Sequence, residues 1–141
     1  MPYTAEFDVR WGDIDNARVV YYPRFFDYFH QTLERWFGDA LGVAYYELVG
    51  PQNIGLPTVK VETEFSAPLR YGDRVRIELE LAEVGSRSIT VRYTATRMPD
   101  GVVSARAKVK KVSIDNDTFT SVPIPAEWRE RFERYRDAQR T

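Results

Sequence analysis

The sequence predicts an α+β fold in which a curved antiparallel sheet of about five strands wraps around one long central helix. Three observations carry that expectation. One segment of period 2 opens the chain, a long aromatic-rich helix follows, and four further period-2 segments come after it, joined by short turns. A helix with a wide apolar stripe and a sheet with one apolar face bury each other when the sheet curls around the helix.

Within residues 3–10, Tyr3, Ala5, Phe7 and Val9 alternate with Thr4, Glu6, Asp8 and Arg10, as in a strand with one buried face. Gly12-Asp13-Ile14-Asp15-Asn16 reads as a polar loop. The spacing then predicts a helix over residues 23–41. Pro23 suits its first position, where a missing N–H loses no partner. Phe25/Phe26, Phe29, Thr32/Leu33, Trp36/Phe37 and Ala40/Leu41 recur at steps of three and four, and Gly42 is placed to close the helix in a left-handed cap. At ~1.5 Å per residue such a helix spans roughly 28 Å, so it needs a broad surface to lie on. Val59, Val61 and Phe65 begin that surface, followed by Val75, Ile77, Leu79 and Leu81, then by Ile89, Val91, Tyr93 and Ala95. A last strand runs from Val102 to about Asp115. Tyr71-Gly72-Asp73, Gly85 and Pro99-Asp100-Gly101 supply the turns. The apolar phase of the last strand changes around Lys110-Lys111, from Val103, Ala105, Ala107 and Val109 to Val112 and Ile114, which predicts a β-bulge there. After Pro125 a polar helix carries Trp128, Phe132 and Tyr135 on one side, expected to pack lightly at an edge.

The 141 residues suit a single domain, 1–141. A net charge of −1 gives no reason to expect nucleic acid or an anionic lipid surface as partner. There is no cysteine, which excludes thiol catalysis, disulfides and thiolate metal sites, and His30 is the one histidine, which excludes a His-rich zinc site. No metal and no cofactor are expected. No apolar run approaches the ~18 residues of a membrane span, and the N-terminus is charged within its first ten residues, unlike a signal peptide. These features predict a cytoplasmic location.

With thiol and Ser-His chemistry absent, carboxylates are the candidate reactive groups. Asp13 and Asp15 stand just before the helix start, where unpaired N–H groups and the helix dipole lend partial positive charge. A carboxylate there can attack a carbonyl or activate water while a backbone N–H stabilises the developing oxyanion. Both aspartates also suit turns and caps, so residue type alone leaves the two readings open. The segment RWGDIDNARVVYYPRFFDYF, residues 10–29, resembles the signature of the 4-hydroxybenzoyl-CoA thioesterase family of hot-dog proteins. In that family an acidic loop ending Asp-x-Asp precedes small residues, an apolar pair, an aromatic, often a Pro, and the central helix. The resemblance implies a hot-dog fold over the whole chain and hydrolysis of an acyl-CoA thioester. Carried onto this sequence, the catalytic aspartate falls on Asp15, as nucleophile or general base, and the polarising backbone N–H on Tyr22. Aromatic walls near Tyr21, Tyr22 and Phe26 would then hold the acyl group.

Two departures stand out. Where the first-described relatives have Pro-Ala-Gly after the aspartate, this chain has Asn16-Ala17-Arg18. Arg18 can pair with Asp15, meet a substrate phosphate, or be a plain surface arginine. In Gly85-Ser86-Arg87 only Arg87 remains of a basic run that holds CoA phosphates in some relatives, which makes an acyl-phosphopantetheine on a carrier protein a competing substrate. A non-catalytic acyl-CoA-binding module is the remaining alternative. His30, well down the helix, reads as packed or solvent-facing, and Lys108-Val109-Lys110-Lys111 as the solvated side of a strand or a rim for an anionic substrate. Tyr45, Tyr46 and the irregular loop 49–56 are expected to set pocket depth. The resemblance also implies a homodimer or homotetramer joined at sheet edges, and an exposed edge of the strand over residues 87–97 would call for such pairing.

Overall fold

A computed structural model describes residues 2–140. In chain order its elements are β1 (Tyr3–Asp8), α1 (Pro23–Trp36), α2 (Tyr45–Val49), β2 (Ile54–Gly55), β3 (Thr58–Phe65), β4 (Arg74–Val84), β5 (Ser88–Met98), β6 (Val102–Val112), β7 (Ile114–Asp115), β8 (Thr120–Ser121) and α3 (Ala126–Gln139). Five strands form one antiparallel sheet in the order β1-β4-β5-β6-β3. The fold is α+β and hot-dog-like, with α1 lying on the concave face.

Alternation decides that face. Val75, Ile77, Leu79 and Leu81 of β4 are fully buried, as are Ile89, Val91 and Ala95 of β5. From the helix, Phe25, Phe29, Leu33, Trp36 and Phe37 meet them, with Phe29 stacked on Tyr93 at a ring separation of 4.7 Å. Polar residues take the outer face, where Arg92 pairs with Glu80 and Arg74 with Glu6. After Trp36 the helix continues as one turn of π-helix, Phe37–Leu41, and Gly42 closes it at φ 76°. Only a residue without Cβ adopts that left-handed geometry at no steric cost.

Several expectations need correction. The strand over residues 87–97 is not an edge: β5 lies between β4 and β6, and the edges of the sheet are β1 and β3. Short turns on both sides of β5 pair it with two neighbours. A register shift does lie opposite Lys110-Lys111, but its extra residue is Val59 on β3 and not a residue of the last strand. Within β6 the extra residue is Ser104, between the pairs Ala95↔Ala105 and Thr96↔Val103. Lys111 therefore keeps the parity of Val109 and points inward. The break in phase belongs to Ser113, where the last strand ends and β7 starts; the Ser113 N–H donates to Arg87 O at 2.8 Å. β7 joins β2 and β8 in a small second sheet that the sequence did not announce.

Finally, α3 does not pack lightly. Trp128 and Phe132 are fully buried against Phe37 and Trp36, with Trp36 and Phe132 stacked almost parallel at 6.1 Å. The Gln139 side chain also bonds the Leu81 backbone of β4.

Candidate active site

The loop between β1 and α1 is closed on itself by its backbone. Asp15 N–H donates to Val19 O at 3.0 Å, Arg18 N–H to Asp15 O at 2.9 Å, and Tyr21 N–H to Asp13 O at 2.8 Å, with an isolated bridge between Ile14 and Val20. Val20 N–H reaches across to Leu69 O at 2.8 Å, which anchors the loop beside the end of β3. Arg18 holds a positive φ of 65° in this turn. Its side chain forms no ion pair among the described residues.

The two aspartates play different parts in this loop. Asp13 Oδ2 accepts the Arg10 N–H at 2.9 Å and the Tyr28 hydroxyl at 2.8 Å, while its Oδ1 lies 4.0 Å from Arg24 Nε. Burial, and then this bond to Asp13, push the Tyr28 hydroxyl well above its ordinary pKa. Asp13 is thus committed to holding the loop on α1. Asp15 is exposed, and its carboxylate accepts one hydrogen bond, from Ala17 N–H to Oδ1 at 2.8 Å. That leaves Oδ2 open to a substrate or a water.

At the helix start Pro23 has no N–H, Arg24 N–H donates to Tyr21 O at 2.8 Å and Phe25 N–H to Tyr22 O at 3.2 Å. The Tyr22 N–H has no acceptor among the described residues. It is the free donor at the positive end of α1. Around it the Tyr22 ring is 59% exposed and meets Tyr21 at 5.4 Å and Phe65 at 6.1 Å; Phe25 meets Phe65 at 5.3 Å.

A cavity of about 240 Å³ lies further along α1, between the helix and the inner face of β3. It is lined by Phe26, Phe29, His30, Thr58, Val61, Tyr93, Val109 and Lys111. Tyr22, Phe26 and His30 lie four residues apart and so form one stripe on the helix, of which Phe26 and His30 line the cavity. His30 is exposed at its mouth, paired with Glu34 at 3.2 Å and edge-on to Tyr45 at 5.8 Å. Tyr45 also packs on Phe37, whereas Tyr46 points into solvent.

Ser86 and Arg87 lie elsewhere. They occupy the turn between β4 and β5, where Arg87 Nη1 donates to Ser121 O at 3.0 Å and Ser86 O accepts the Ile124 N–H at 2.8 Å. The Asp15 loop sits at the start of β4 and this turn at its end, so an 11-residue strand separates them, roughly 30 Å at strand rise. Within one chain Asp15, Tyr21 and Tyr22 lie on the loop that leads into α1 and Phe26 in the first turns of that helix, whereas Ser86 and Arg87 lie at the far end of β4. Among the described residues no set of three His, Asp or Glu side chains converges as metal ligands.

Lys111 lines the cavity, buried, where the sequence reading placed it with its neighbours on the solvated side of a strand. Strict period 2 from Ala107 and Val109 would have placed it inward; its charge argued, wrongly, for a shift in phase.

The profile of the thioesterase-like superfamily matches residues 9–132. The chain belongs to the thioesterase-like superfamily. Among its relatives is a 1,4-dihydroxy-2-naphthoyl-CoA hydrolase of Synechocystis sp., 25% identical over 126 residues, which cover 89% of this chain and 91% of that protein. The enzyme of the same name from Prochlorococcus marinus is 30% identical over 115 residues, 76% of this chain and 72% of the relative. A solved structure of a gentisyl-coenzyme A thioesterase superposes with a TM-score of 0.79 at 28% identity, covering 89% of this chain and 98% of that one. A DHNA-CoA thioesterase from Staphylococcus aureus reaches a TM-score of 0.89 at 16% identity over 97% and 92% of the two chains, a likeness of fold. The hot-dog thioesterase class expected from residues 10–29 is therefore correct, and this member of the superfamily is a thioester hydrolase. Among the described residues no helix is long and apolar enough to cross a membrane.

Proposed function

We propose that this protein hydrolyses acyl-CoA thioesters, with Asp15 as the catalytic carboxylate and the Tyr22 N–H as the donor that stabilises the oxyanion. The observation that carries the reading is the pairing of an uncommitted carboxylate with an uncommitted helix-terminal N–H on one closed loop. In acyl transfer, negative charge develops on the carbonyl oxygen, and a preorganised donor at a helix N-terminus favours that charge most in the transition state. Asp15 Oδ2 then attacks the carbonyl carbon or takes a proton from an attacking water. Both routes expel the thiolate of CoA, and in the first a water then hydrolyses the acyl-Asp15 anhydride to release the acid and restore the carboxylate. The relatives named for 1,4-dihydroxy-2-naphthoyl-CoA and gentisyl-coenzyme A support CoA as the thiol carrier.

The reading extends to assembly. The whole chain acts as a single domain, without cofactor or metal, in the cytoplasm, and pairs through β3 into a homodimer from which a homotetramer can be built. β3 is a free edge whose Val59, Val61 and Phe65 are 55%, 42% and 47% exposed, the kind of edge that natural sheets cover. Antiparallel pairing of two copies along β3 would set the Asp15 loop of one beside the Arg87 end of the other. The separation found within one chain would thus close, and Arg18, Ser86 and Arg87 could hold one CoA.

The test is thiol release from aromatic and aliphatic acyl-CoAs by the parent and by Asp15→Asn. The expected result is turnover by the parent and a loss of about a hundredfold or more in kcat in the variant, the scale of a missing acid-base group. Unchanged turnover in Asp15→Asn would put the chemistry elsewhere. A second reading, hydrolysis of a carrier-bound acyl-phosphopantetheine, is favoured by Arg87 being tied to Ser121. Equal kcat/KM on acyl-pantetheine and acyl-CoA would support it.

A further inference from the structure

Lys111 is 6% exposed and lines the cavity between α1 and β3, whereas Lys60, Lys108 and Lys110 stand in solvent. Its Nζ donates to Leu56 O at 3.3 Å and to Thr58 Oγ1 at 3.1 Å, and no carboxylate pairs with it among the described residues. Both partners are neutral acceptors, and their number favours one protonation state. An ammonium would keep a third proton against an apolar wall, with no acceptor and no counter-charge, which is costly. A neutral amine has one proton for each acceptor and a lone pair left over. Burial accordingly lowers the pKa of Lys111. An amine held in this state is a nucleophile.

The cavity is an apolar slot walled by Phe26, Phe29, Val61 and Val109. A cavity of about 150 Å³ already admits benzene, so one of about 240 Å³ has room for a ring with a short substituent. Tyr93 shares the slot. It is 2% exposed, its hydroxyl makes no hydrogen bond among the described residues, and burial holds that hydroxyl protonated by raising its pKa well above the ordinary value. A protonated, unengaged hydroxyl can donate to a carbonyl oxygen. His30 stands at the mouth, edge-on to Tyr45, with Nε2 engaged by Glu34 at 3.2 Å. None of these groups is bonded to Lys111, so its lone pair faces no competing partner among the described residues.

We propose that Lys111 is an imine-forming amine and that the slot takes aldehydes and ketones whose apolar body is about the size of one ring. Nζ attacks the carbonyl carbon; a C–N bond forms and the π pair moves to oxygen. The carbinolamine then loses water, the oxygen leaving with the two protons of the amine, and a C=N bond remains. Water reverses both steps and restores the amine, so no other reactant is consumed. While it stands, the protonated imine draws electrons from the adjacent carbon, the activation that Schiff-base lysines supply. Asp15 does not line this slot, and the chemistry proceeds without thioester hydrolysis. It is a second reactive site, apart from the one on the loop before α1.

The test treats the full chain with benzaldehyde and sodium cyanoborohydride at neutral pH. The hydride reduces an imine to a stable secondary amine, and peptide mass spectrometry locates the benzyl label. Lys60, Lys108 and Lys110 are exposed references within the same molecule. Lys111 is expected to take the label at least about tenfold faster than each reference, because a lysine whose pKa is lowered by burial holds far more free amine. Benzyl alcohol, which fills the slot but has no carbonyl, should slow labelling of Lys111 and leave the references unchanged. Tyr93→Phe should slow Lys111 in the same way, since the carbonyl oxygen loses its donor. The readout on the parent needs no variant to fold. Equal rates on all lysines, or label confined to the other amines, would overturn the proposal and leave Lys111 as a tie between β6 and Thr58. Fast labelling of Lys111 that benzyl alcohol fails to slow would also overturn it, because the aldehyde would then be arriving by another route than the slot.

Discussion

At the scale of single residues, the aspartates of the loop show how neighbours of one chemical type diverge. Asp13 and Asp15 are two positions apart, yet the Asp13 carboxylate is enclosed by Arg10, Tyr28 and Arg24 while the Asp15 carboxylate bonds only Ala17 among the described residues. Their substitutions should separate stability from chemistry. Asp15→Asn keeps an oxygen for the Ala17 N–H, so its unfolding free energy in urea should stay within about 0.5 kcal/mol of the parent while activity collapses. Asp13→Ala strips acceptors from the buried Tyr28 hydroxyl and from Arg10, and should cost about 1–3 kcal/mol. A stable Asp13→Ala protein would show that the loop does not depend on those bonds. The choice of Asp15 over Asp13 was legible only through resemblance, because both residue types suit a turn before a helix. Which carboxylate is spent on structure depends on Tyr28, fifteen residues away on α1.

At the scale of elements, the long helix and the alternating strands were legible because their apolar periods, near 3.6 and 2, are imposed locally by backbone geometry. Gly42 marked the helix end correctly because a left-handed cap is also a local requirement. α3 was misjudged in its packing. Its sequence is mostly charged, and its three aromatics gave no measure of depth. The structure buries Trp128 and Phe132 completely against the far end of α1. Trp128→Ala should therefore cost about 3–5 kcal/mol, the range for a large aromatic removed from a core, and lower the thermal midpoint accordingly. A change near zero in the same measurement would mean that α3 docks superficially after all. In β6, the charge of Lys111 masked a regular alternation, and the position of the bulge at Ser104 is set by register against β5, which no single strand encodes.

At the scale of the whole molecule, the outer face of the sheet is ruled by charge. Cross-strand neighbours such as Glu62↔Lys108 and Arg92↔Lys108 and the ion pairs of Glu80 and Glu6 keep it solvated. The edge strand β3 instead exposes three apolar residues, Val59, Val61 and Phe65, which makes it the edge on which the proposed association would fall. In light scattering the parent should have about twice the chain mass of 16.4 kDa, or a multiple of that. Val59→Lys combined with Phe65→Lys should shift it toward the single-chain mass, with unchanged circular dichroism and reduced kcat/KM. An active parent of single-chain mass would remove β3 pairing and the composite CoA site with it.

The sequence by itself determined the elements, the inward faces of most strands, the superfamily and the loop that carries Asp15, because periodicity, turn chemistry and a contiguous motif are written in neighbouring residues. The tertiary structure decided which strands are edges, how deep α3 lies, that Lys111 ends in an apolar slot, and that Arg87 stands a strand's length from Asp15. Each of those depends on contacts between residues far apart in the chain. Their free energy comes from burial and register, which exist only once the sheet has closed around the helix.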